Sequence, residues 1–172
     1  NAPTRLGRLP ASSSYATALA AWMIDRHTSE ANVQEVASQW RSQLLLSNRV
    51  YEELRTILSL HQELSLWDTL GTAKQKRIAA SDQCIGALAI MQAEDRAGFV
   101  HIKRVITHLE QTGLAPEHFI SGHDLLEAGL PPSSTIGNVL EAVYDAQLEG
   151  SVTSREEALA FAMTIYQEFK DS

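Results

Sequence analysis

Apolar residues recur at helical spacing along most of this chain, and the caps that flank them divide it into helices. The clearest case is SNRVYEELRTILSLHQEL, where Val50, Leu54, Ile57, Leu58 and His61 share one face and Ser47 is placed to cap. Upstream, Tyr15 to Arg26 carries Leu19, Trp22, Met23 and several alanines on a broad face, and Ser29 is expected to cap a helix that runs to about Trp40. Thr72 and Ser81 are the expected N-caps of a short basic helix and of DQCIGALAIMQAED. The second of these is apolar almost all round, which predicts a central helix. From Gly98 onward Phe99, Ile102, Val105, Ile106 and Leu109 fall on one face of a helix, with His101, Arg104 and His108 on another. Gly113 is the expected left-handed terminator.

The pattern changes after Gly113, where TGLAPEHFISGHDLLEAGLPPSST is rich in Gly, Pro and Ser and holds one short helix, about Asp124 to Ala128, stopped by Gly129. Asp124 is read as its cap. A helix from Ser134 to about Glu149 follows, with Ile136, Val139, Leu140 and Val143 as its stripe and Gly150 as its stop. Ser154-Arg155-Glu156-Glu157 forms a capping box for the last helix. The expected division is therefore a flexible leader or tag scar over 1–14, a helical body over 15–113 and a helical tail over 114–172. Aromatic residues are only 6% and hydrophobic residues 44%, with Ala, Leu, Glu and Gln abundant, so the fold class is all-α.

Composition adds limits. No run reaches the ~20 apolar residues of a membrane span, and the single cysteine, Cys84, has no intrachain partner for a disulfide; both suit a cytoplasmic chain. The opening Asn1-Ala2-Pro3 lacks a methionine and is read as the mark of a fragment. The net charge is −7, yet two basic clusters stand out: Lys74, Lys76 and Arg77, with no acid between them, and Lys103-Arg104 flanked by histidines. Each is either an ordinary solvated face or a surface that tracks phosphates.

Candidate chemistry is sparse. A P-loop, a nucleophile elbow, clustered metal-binding cysteines and paired Asp-x-Asp carboxylates are all missing from the sequence, so no catalytic residue, metal ligand or cofactor is assigned. His123-Asp124 is a weak metal pair beside its role at a helix start. His101 and His108 lie roughly 10 Å apart along a helix and do not share an ion. His61 is read as a core-edge histidine.

The stretch ISGHDLLEAGLPPSSTIGNVLEAVYDAQLEGSVTSREEALAF, Ile120 to Phe161, resembles the C-terminal part of bacterial tRNA nucleotidyltransferases, the CCA-adding and poly(A) polymerase family. The matching positions are Gly122, Asp124, Leu125, Gly129, Pro131, Pro132, Ile136, Gly137, Leu140, Gly150, Thr153, Glu156, Glu157 and Ala158. LAAWMID, RSQLLLSNRVYEEL, LHQEL and KRIAASDQCIGALAIMQAEDRA look like the helical body of the same family, so the likeness covers about 15 to 161. Two departures stand out within it: Ser133 replaces a frequent glycine, and Ile24-Asp25 stands where phosphohydrolase-bearing relatives have His-Asp. The resemblance implies a body and tail that hold tRNA for a catalytic head of the same polypeptide, absent here, which would use Mg and CTP or ATP. Lys76-Arg77 matches a recurring Lys-Arg of that family, and with this reading the charge clusters Lys74, Lys76, Arg77, Lys103 and Arg104 are the expected RNA footprint, while Ser133, Ser134, Thr135 and Gly137 are expected to meet a phosphate at a helix N-terminus. A close approach through Gly137 could serve a phosphate or the packing of the preceding short helix. The alternatives are a degenerate HD-phosphohydrolase-like helical domain and a protein-interaction scaffold.

Overall fold

The computed structural model describes residues 4–26 and 30–171, with the side chains of 30–34 and 170–171 left aside. Every regular element among them is helical. In order they are α1 (Arg5–Arg8), α2 (Tyr15–Arg26), α3 (Glu30–Gln43), α4 (Asn48–Ser65), a 3-10 turn (Trp67–Thr69), α5 (Thr72–Ala80), α6 (Cys84–Glu94), α7 (Arg96–Gln111), α8 (Gly122–Glu127), α9 (Thr135–Glu149) and α10 (Arg155–Asp171). The all-α class follows, and no described helix is long and apolar enough to cross a membrane. The chain forms two compact units: residues up to Leu70 with Ile78–Gln111, and Gly71–Arg77 with the chain from Thr112 on.

In the first unit, Ser47 Oγ accepts the Val50 N–H at 3.3 Å and starts α4, whose residues Leu54, Ile57, Leu58, His61 and Leu64 are buried. That 3-and-4 spacing points one stripe at α2 and α6, and each fully buried Leu or Ile contributes roughly 1.5–3 kcal/mol. Ala16, Ala20, Ala21 and Met23 of α2 complete the core with Ile90 of α6. Helix α6 packs on α1, α2, α4 and α7, as its all-round apolarity requires, although Ile85 stands 78% exposed. Gly86 lets α6 come close: a Cβ there would lie 2.7 Å from Thr17 Oγ1 and 3.0 Å from Ile57 Cδ1.

Several expectations are corrected. The supposed flexible leader is a docked segment from Thr4 on, with Thr4 capping α1 and Leu9 packed on the core, because α1 carries polar groups that meet partners on α2 and α6. Thr72 is the first helical residue of α5, not its cap: the preceding Gly71 carbonyl accepts the Gln75 N–H at 3.0 Å. Ser81 lies in a turn ahead of α6, its carbonyl bonded to the Cys84 N–H. Helix α7 starts before Gly98, because Asp95 Oδ1 accepts the N–H groups of Ala97 and Gly98 at 3.1 and 3.0 Å. The proposed cap Ser29 lies outside the described residues.

The second unit has its core between α8, α9 and α10, where Leu125, Val139, Val143, Ala146, Ala158 and Ala162 meet. Here Ser121, not Asp124, caps α8. Asp124 sits three residues on and returns a bond to the Ser121 N–H at 2.6 Å, closing a capping box. Gly150 ends α9 at φ 79°, a conformation that favours glycine. Ser154 caps α10 by accepting the Glu157 N–H at 3.2 Å, while the Glu157 carboxylate reaches the Thr153 N–H at 2.7 Å. The Gly/Pro-rich loop has few backbone partners of its own. Buried Gln147 supplies them, donating to the Glu117 carbonyl at 2.7 Å and accepting from the Phe119 N–H at 3.2 Å.

Candidate nucleic-acid interface

Helix α7 buries Ile102, Ile106 and Leu109, and the three-and-four spacing therefore turns a second stripe outward. Phe99, Val100, Lys103, Arg104, Thr107, His108 and Gln111 line a groove of about 460 Å³ along it. No acidic residue occurs from Ala97 through Leu109. Lys103 and Arg104 are exposed and make no ion pair among the described residues. The stripe from Val100 to Gln111 covers about 16 Å of helix axis. It therefore presents two fixed cations, one hydroxyl, one amide and an imidazole in line, a row of donors suited to successive anions. The sequence grouped His101 with Arg104 and His108, but His101 Nε2 lies 2.9 Å from Asp68 Oδ1 and so turns away from that row. Val100, Thr107 and Gln111 escaped the sequence reading, although helical spacing from Lys103 and Arg104 was enough to find them, and Phe99, assigned there to the apolar face, borders the groove.

The other basic cluster behaves differently. Lys76 is only 7% exposed, which corrects its assignment to an RNA footprint. It lies one turn from buried Ala73, on the covered side of α5, and a short helix with few apolar residues gave no stripe by which to see this. Arg77 is engaged inside its own unit. Its Nε donates to Asp145 at 2.9 Å and its Nη2 to Glu141 at 2.8 Å, and its guanidinium carbon stands 5.2 Å from the Tyr144 ring centroid. Partial burial works against the Arg77 charge, but the two carboxylates outweigh it and hold the group more firmly protonated than usual. A guanidinium so neutralised offers little to a phosphate, and Arg77 too is corrected as a main contact. Lys74 is exposed on α5. The Tyr144 ring is also stacked on His118 at 3.8 Å and its hydroxyl donates to the Pro116 carbonyl at 3.0 Å, a cluster the sequence did not reveal because its members are far apart in the chain.

At the start of α9, Ser133, Ser134 and Gly137 are exposed and Thr135 is half-buried. Ser134 occupies the cap position in a helical conformation, φ −62° and ψ −20°, and makes no side-chain cap bond. The expectation that a hydroxyl of this run caps α9 is thus not met; the Ile136 N–H is taken by the Ser133 carbonyl at 3.3 Å, which leaves the Thr135 and Gly137 N–H groups as the first-turn donors. A Cβ on Gly137 would meet nothing within 4 Å, so the glycine does not serve packing against α8. Gly122 faces α9 instead, its would-be Cβ 3.8 Å from Ile136 and Leu140.

The His-Asp pair and the cysteine offer no site. His123 Nε2 lies 3.1 Å from Glu127, whereas Asp124 binds Ser121 and, at 2.5 Å, Arg155, so the His-Asp pair diverges. Among the described residues no group of three His, Cys, Asp or Glu side chains could hold a metal ion. Burial pushes the Cys84 thiol up to about 11, against a small opposing effect of the Lys103 charge, leaving a poor nucleophile. Comparison of the chain with family models, with curated proteins and with solved structures gives no match.

Proposed function

We propose that this chain is the tRNA-holding region of a tRNA nucleotidyltransferase, whose catalytic head, with its Mg and CTP or ATP, belongs to the same polypeptide. The observation that carries the reading is the acid-free stripe on α7, exposed on a protein of net charge −7. Lys103 and Arg104 supply charge to phosphates, and Thr107 and Gln111 supply donors. The first turn of α9, which lacks a side-chain cap at Ser134, is a second, uncharged place for a phosphate. Recognition through backbone and shape suits a folded tRNA, whose duplex arms show phosphates and 2′-hydroxyls but hide their base edges.

The test is a tRNA titration across salt concentrations with the wild type and with Lys103→Ala/Arg104→Ala. Each lost phosphate contact removes roughly 0.7 to 0.9 from the log–log slope, so the double variant binds more weakly and its slope falls by about twice that. A scrambled stem-loop of equal length loses affinity in the same proportion. An unchanged slope refutes the stripe as the contact surface. Binding that depends on base sequence refutes backbone recognition.

A further inference from the structure

Asp25 lies in the last turn of α2 and Glu94 ends α6, and both carboxylates converge on a single guanidinium. Arg5 Nη1 donates to Asp25 Oδ1 at 2.9 Å, and Arg5 Nε donates to Glu94 Oε2. The second Glu94 oxygen is held at 2.6 Å by Nε2 of buried His61 from α4, which fixes the carboxylate's orientation. Asp25 also takes the backbone N–H groups of Arg5 and Leu6 at 3.3 and 3.4 Å. Arg8 Nη1 adds a bond to the Ala93 carbonyl at 3.1 Å. The carboxylate side chains are 13% and 20% exposed. Two carboxylates are therefore sequestered against one cation, and three helices meet at it.

We propose that Asp25, Glu94 and His61 form a guanidinium-selective socket whose occupant is the chain's own Thr4–Leu9 segment, latched through Arg5. The selectivity follows from shape. The two acceptors lie on different helices and take two different nitrogens of one planar fork, a division that a compact ammonium on a flexible stem does not reproduce. His61 does not touch the guanidinium; it is a positioning residue that acts through Glu94. Removing the guanidinium alone leaves two partly desolvated carboxylates without their shared cation, a destabilised pair that is relieved either by a proton or by a replacement cation of matching shape. The same helix ends thus accept a small guanidinium, or the arginine of another peptide, wherever the segment is displaced. This inference stands independently of the RNA reading.

Chemical rescue tests it on the full chain. Arg5→Ala lowers the Tm, and methylguanidinium in the millimolar range restores more than half of the loss while leaving the wild type unmoved. Methylammonium at the same concentration restores much less. In Arg5→Ala/Glu94→Gln the methylguanidinium effect disappears. Equal shifts in wild type and Arg5→Ala, or equal rescue by the two cations, overturn the socket. Should Arg5→Ala not fold, Arg5→Lys carries the same test: it keeps the charge but loses the fork, so its Tm falls below wild type and methylguanidinium raises it. An Arg5→Lys protein as stable as wild type overturns the selectivity.

Discussion

Replacing Gly137 by alanine separates a phosphate-binding helix terminus from a packing glycine. The position is exposed and third in α9, and the added methyl would meet nothing within 4 Å. Steric cost is therefore absent, and what remains is the backbone entropy that glycine gives up on folding. In a helix interior that is up to ~1 kcal/mol in favour of alanine, and in the first turn, where fewer hydrogen bonds constrain the residue, about half as much is a fair expectation. Through the usual relation for a chain of this size the Tm rises by about 1–2 °C. Binding moves the other way. If a phosphate sits on the first-turn N–H groups, the methyl projects beside it and lengthens a charge-assisted hydrogen bond worth ~1.5–3 kcal/mol, so tRNA affinity falls by roughly tenfold. Thermal unfolding by circular dichroism and a tRNA titration on the same preparation read both quantities. A lower Tm refutes the open-space geometry. A higher Tm with unchanged affinity refutes the phosphate at α9 while leaving the α7 stripe standing. Ser134→Asp sharpens the contrast, because a carboxylate beside the helix N-terminus stabilises the helix through its dipole by about 0.3–1 kcal/mol and repels a phosphate.

Two further outcomes test the fold. Gly86, like Gly137, is third in its helix, so Gly86→Ala gains about half of the ~1 kcal/mol of interior helix propensity but forces a methyl to within 2.7 Å of buried Thr17 Oγ1, and overpacking of this kind costs about 1–3 kcal/mol; a net loss of stability is expected, recovered in part by adding Thr17→Ala, and a Tm increase in the single variant would count against the close approach of α2 and α6. Asp124 is drawn from 3.8 down to about 2, first by the Ser121 hydroxyl and backbone N–H and then by Arg155. A depressed carboxylate stabilises the fold above its unfolded value and loses that contribution as the pH falls through its folded value, so Asp124→Asn abolishes the part of the acid sensitivity that lies between pH 3.8 and about 2. Tm against pH checks this; a wild-type and variant that lose stability in parallel over that window would show that Asp124 contributes nothing there.

Local periodicity determined most of the helices. The Val50 to His61 stripe, the Ser47 cap and the left-handed terminators Gly113 and Gly150 all depend on neighbours within about one turn, so the chain declares them without its fold. The α7 stripe was legible for the same reason, since a helix that buries Ile102, Ile106 and Leu109 must turn Lys103 and Arg104 outward. Caps were harder: Asp95 and Ser121 compete with other polar residues one or two positions away, and backbone geometry picks the winner. Which charges remain free was decided only by tertiary structure. Arg77 finds its carboxylates 64 and 68 residues further along, Arg5 finds Asp25 after 20 and Glu94 after 89, and Lys76 is covered although its neighbours in sequence are polar. An arginine carries the same charge in either setting. Whether a buried carboxylate or a phosphate meets it depends on which distant helix is packed beside it, and no spacing along the chain encodes that.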